Sequence, residues 1–60
     1  MRLKKFDVVE LVDENKATIL GVSKNNYYAE IVDKEGKTIE YRNIKPEKVR
    51  KILFTRDRER

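Results

Sequence analysis

The sequence predicts an all-β domain in which five short strands curl into one small barrel, and three observations carry that prediction. Residues 27–41 read as a β-hairpin, with two runs rich in Tyr, Ile, Val and Thr joined by Asp33-Lys34-Glu35-Gly36. Short runs of β-branched residues recur on both sides of that hairpin. Pro46 then interrupts the pattern and suits the first position of a single helical turn before a last apolar run. A chain of 60 residues is too short for a two-sheet sandwich of ordinary size. One strongly bent sheet can manage its own edges and enclose one core.

Each element follows in order. Residues 1–5 form a basic leader. Residues 6–12 (Phe6-Asp7-Val8-Val9-Glu10-Leu11-Val12) are the first strand, and residues 13–16 a polar turn. Residues 17–22 are the second strand, where Gly21 inside an apolar run marks a bulge or sharp bend. Residues 23–26 are a connection of turn formers, and the hairpin follows. At the hairpin turn, Asp33 can hydrogen-bond forward to the backbone and Gly36 can take a positive φ. Residues 43–49 hold a short helical turn around Pro46, and residues 50–54 the final strand. The domain is assigned to residues 1–55, followed by a short charged tail at 56–60.

Alternation assigns the faces. Tyr27, Ala29 and Ile31 share one side of the hairpin's first strand, and Tyr28, Glu30 and Val32 the other, so Tyr28 is the exposed tyrosine. In the second strand Ile39 and Tyr41 are apolar, opposed to Glu40 and Arg42. The expected core is Phe6, Val9, Leu11, Ile19, Val22, Ala29, Ile31, Ile39, Tyr41, Ile44, Val49 and Ile52. A domain this small stands near the limit at which one core suffices without staples.

Composition narrows the function. There is no cysteine, histidine or glutamine. Disulfides, thiolate metal sites and the commonest general base are therefore missing. No cofactor or small-molecule substrate is expected. Glu30 and Glu40 are the one carboxylate pair able to face each other across the hairpin, but no nucleophile accompanies them, so the chain is read as no enzyme. Charged residues make up 43% of the chain, the composition of proteins from hot environments. No apolar run is long enough to span a membrane. Arg2, Lys4 and Lys5 lead into strand-like sequence rather than a signal peptide, and a cytoplasmic location is expected.

The charge is unevenly placed. The total is +4, yet residues 7–41 hold four Lys against eight Asp and Glu. Residues 1–6 carry three cations and no acid, and residues 42–60 carry eight Lys and Arg against three acids. A barrel that brings its first and last strands together joins the two basic ends into one patch, suited to a phosphate backbone. Aromatic side chains beside such a patch can stack on bases.

Several stretches carry a family resemblance: Asp7-Val8-Val9-Glu10-Leu11, Ala17-Thr18-Ile19, Tyr28-Ala29-Glu30-Ile31-Val32-Asp33 with Gly36, and Ile44-Lys45-Pro46-Glu47-Lys48-Val49. Together they cover about positions 6–53, and the chain resembles the SH3-like small-barrel superfamily that includes KOW-type domains. It is also similar to uncharacterised bacterial small SH3-like barrels. The resemblance implies a barrel with a 3₁₀ turn before its last strand. It departs at the loop before the second strand, where the family places glycine and this chain has Asn15, Lys16 and Ala17.

The functional expectation is a non-catalytic nucleic-acid-binding small barrel, RNA-associated and suited to a ribosomal or translation accessory role, with ribosomal RNA among the candidate partners. Arg2, Lys4, Lys5, Lys48, Arg50, Lys51, Arg56 and Arg58 are the expected phosphate contacts, with Tyr28 and Phe54 as stacking residues. The alternative is a protein–protein interaction module, a regulatory or inhibitory partner docked by loops or an edge strand. A homo-oligomer assembled through edge strands is the third reading.

Overall fold

The computed structural model describes residues 3–55, which form β1 (Val8–Leu11), β2 (Lys16–Val22), β3 (Tyr27–Val32), β4 (Thr38–Ile44), a 3₁₀ turn (Pro46–Lys48) and β5 (Val49–Phe54). The strands make one antiparallel sheet in the order β4-β3-β2-β1-β5. This is the predicted five-stranded small barrel with its turn before the last strand. Strands β4 and β5 are the two edges and do not pair, so the barrel is open along that seam. No helix among the described residues is long and apolar enough to cross a membrane. The tail assigned to 56–60 lies outside the described residues.

The turns form for the reasons written in their residues. Asp33 Oδ1 accepts the backbone N–H groups of Glu35 and Lys37, both at 2.9 Å, and Gly36 sits at φ 88°. Between β1 and β2, Asp13 Oδ1 accepts the Asn15 N–H at 3.1 Å. There Glu14 takes a positive φ of 76°, a conformation glycine adopts without steric cost.

The sheet curls because its strands are bulged. One extra residue sits in β2 at Leu20, next to Gly21 as the sequence suggests, and one in β4 at Ile39. Two more, Leu53 and Arg50, sit in β5 against β1. Each bulge bends its strand and increases the local twist.

On the inner face, cross-strand partners form rows. Ile52, Val9, Ala17, Ile31 and Glu40 make one, and Ile19, Ala29 and Arg42 a second. Val9, Ala17, Ile19, Ala29, Leu11 and Ile31 are at most 1% exposed. The alanines stand between larger neighbours, where a concave face has least room. Leu3, Tyr27, Ile44 and Val49 complete the core.

Five residues expected in that core are exposed: Phe6, Val22, Ile39, Tyr41 and Ile52. Phe6 precedes β1 in a turn with φ 74° and does not join the strand. Val22 ends β2. Ile39 is the bulged residue of β4, and that bulge puts Tyr41 on the outer face opposite Glu30 while Glu40 and Arg42 face inward. Ile52 faces inward beside Val9, but on the edge strand, where it stays half-exposed. Leu3, Ala17 and Tyr27 fill the space instead.

Two isoleucines of one hairpin separate the expected and observed cores. Ile31→Ala is expected to cost about 2–5 kcal/mol of unfolding free energy. Ile39→Ala is expected to change it by no more than ~0.5 kcal/mol. Urea unfolding followed by circular dichroism checks both.

Candidate nucleic-acid interface

The predicted convergence of the two chain ends rests on one buried carboxylate. Asp7 is 2% exposed. Its Oδ2 accepts the Lys4 backbone N–H at 2.9 Å, and its Oδ1 accepts the Thr55 hydroxyl at 3.0 Å across 48 residues of chain. The Asp7 N–H donates to the Lys4 carbonyl at 3.0 Å, which closes the turn carrying Lys5 and Phe6. A carboxylate buried in this way is stable only because donors meet its oxygens. The basic leader is thereby tied to the end of β5.

At that end, Lys4 and Lys5 are exposed, and the Lys5 ammonium lies 5.5 Å from the centre of the Phe6 ring. Phe54 is half-exposed on the outer face opposite Val8, one residue before Thr55. Cations and aromatic rings thus share one end of the molecule.

The other expected contacts divide. Arg50 and Lys51 project from β5, and both reach the Glu10 carboxylate, at 3.7 and 3.8 Å. Two cations on one anion leave a single net positive charge there. Lys48 lies on the 3₁₀ turn, where its carbonyl accepts the Val12 N–H at 3.0 Å. That turn borders a groove of about 570 Å³, lined by Leu11, Ile44, Arg42 and Lys45 among others. Arg2, Arg56 and Arg58 lie outside the described residues.

Tyr28 is exposed as expected, but it is not beside the basic end. It lies on β3, three strand spacings from β5, or roughly 14–15 Å along the sheet. It stacks on Tyr41, with ring centres 6.5 Å apart and planes at 20°. Tyr41 is thus a second exposed ring that the alternation pattern assigned to the core. Phe6, also expected in the core, is exposed as well. Phe54, Val8, Thr18, Glu30 and Tyr41 form one outer row across all five strands, so aromatic rings stand at both of its ends.

The carboxylate pair considered at the hairpin is not a pair. Glu30 is opposite Tyr41 on the outer face, where Thr38 donates its hydroxyl proton to it. Glu40 is opposite Ile31 on the inner face and holds Arg42 at 3.4 Å.

The Asp7 tie predicts a graded response. Asp7→Ala strands two donors and is expected to cost about 1–3 kcal/mol, and Thr55→Val about 0.5–1.5 kcal/mol. With Asp7 already replaced, the Thr55 change is expected to have little further effect, a double-mutant coupling read from urea midpoints. Compared with known proteins, the chain matches no family model, no curated protein and no solved structure.

Proposed function

We propose that this chain is a non-catalytic small barrel of the SH3-like kind that binds single-stranded nucleic acid, RNA in the first place, as an accessory of the translation machinery. The observation that supports this reading is the gathering of Lys4, Lys5, Phe6 and Phe54 at the end closed by Asp7 and Thr55. The ammonium groups take phosphates and release counterions, while the half-exposed rings offer faces to bases. The outer row from Phe54 to Tyr41 gives the strand a path across the sheet, and the Tyr28–Tyr41 stack is its second landing. Arg50 and Lys51 contribute less than their number implies, because Glu10 already holds both. A second reading, docking of a protein by an edge strand, is favoured by the unpaired edges of β4 and β5.

Fluorescence anisotropy with a labelled oligouridine tests the first reading. With two to four phosphate contacts, the logarithm of affinity is expected to fall against the logarithm of salt with a slope of about −1.5 to −3. Lys4→Glu and Lys51→Glu are expected to weaken binding and flatten that slope. Tyr28→Ala is expected to weaken binding about 5-fold or more with the slope unchanged. Binding that ignores salt and both charge reversals refutes the assignment of this surface. Sedimentation of a nuclease-free native lysate tests the translation role through salt-sensitive co-migration with ribosomal particles.

A further inference from the structure

Strand β4 presents seven residues, Thr38–Ile44, at the edge of the sheet, and no backbone hydrogen bond among the described residues reaches its free side. Such an edge invites another strand, and proteins commonly block it with charges that point inward. Here Glu40 and Arg42 face inward, opposite Ile31 and Ala29. They are of opposite sign and flank Tyr41 symmetrically. An apolar partner strand would bury this pair, 3.4 Å apart, with no further polar partner, and a single-sign one would set one of them against its own charge. A second copy of the same strand, antiparallel and centred on Tyr41, would not. The two-fold axis then sets Glu40 of each chain opposite Arg42 of the other, about 4.5–5.5 Å apart at Cβ.

We propose that two copies of this chain pair through β4 in that register, making one continuous ten-stranded sheet. The charge complementarity is built into the sequence around Tyr41 and needs no other partner. On the outer face the same register brings the two Tyr41 rings together, each already stacked on its own Tyr28. The result is a row of four tyrosines across the dimer axis. The bulge at Ile39 lies outside the central Glu40–Arg42 triplet, which is paired regularly with β3 and is free to pair again. The other edge is unlike this one: Arg50 and Lys51 on β5 have the same sign, so two β5 strands would bring like charges together.

A strand-on-strand contact of this length is smaller than a standard interface of about 1,200–2,000 Å², so the dimer is concentration-dependent. Sedimentation equilibrium of the wild-type chain is expected to show the mass rising from 7.2 kDa toward twice that value as concentration increases. The Glu40→Arg and Arg42→Glu variants each carry two like charges on the edge, and each is expected to stay at the monomer mass. Their equimolar mixture is expected to recover the doubled mass, since each variant then meets its complement and neither retains the ion pair within its own strand. A wild-type chain that remains monomeric at millimolar concentration overturns the proposal without reference to any variant. So does a dimer that persists unchanged in both single variants, or a mixture of folded variants that fails to associate.

Discussion

Val9, Ala17 and Ile31, side by side on three neighbouring strands and almost wholly removed from water, are the contact on which everything else in this molecule depends. A chain this short has one sheet and must make both walls of its core from it. That requires small side chains where the concave surface tightens, a demand met by Ala17 and Ala29. It also requires bulges in strands that would otherwise stay too flat to curl. The edge strands show where the arrangement ends. Ile52 continues the inner row on one side and Glu40 on the other, and both are exposed. Burial is therefore concentrated in β1, β2 and β3, and β4 and β5 are surfaces as much as walls.

The electrostatic character of the molecule follows from the same topology. Pairing β1 with β5 places the two basic parts of the sequence together, and Asp7 holds them there through its hydrogen bonds to Lys4 and Thr55. Glu10 sits farther along the same pair of strands and draws in Arg50 and Lys51.

Much of the fold was legible in the sequence because its turns are locally determined. Asp33 and Gly36 specify one connection through their own side-chain and backbone preferences, and Pro46 specifies the 3₁₀ turn. The exposed Tyr28 was legible too, since adjacent strand residues face opposite ways. The phase of β4 was not. A single extra residue at Ile39 reverses the sides of the residues that follow it relative to the apolar pattern, and nothing local announces that bulge. Ile44, the one buried residue of β4, sets the true phase when read backwards through Arg42 and Glu40. Phe6 misled for a different reason: its backbone turns before the strand begins, in a turn that the Asp7–Lys4 hydrogen bonds close. The relative places of the candidate site residues were not legible, because distance across a curled sheet is invisible to charge counting.

The seam between β1 and β5 also dictates the order in which the molecule can be assembled. Strands β1 to β4 are joined in sequence by short turns and can zip together before β5 is available. The β1–β5 ladder and the Asp7–Thr55 bond, which joins residues 48 apart, close the longest loops of the fold. During synthesis β1 emerges first and finds β2 on one side, yet its other side waits for the last strand to appear. The growing chain thus spends most of its emergence with Val9 and Leu11 half sheltered, and the domain becomes a single cooperative unit only when its final strand is delivered.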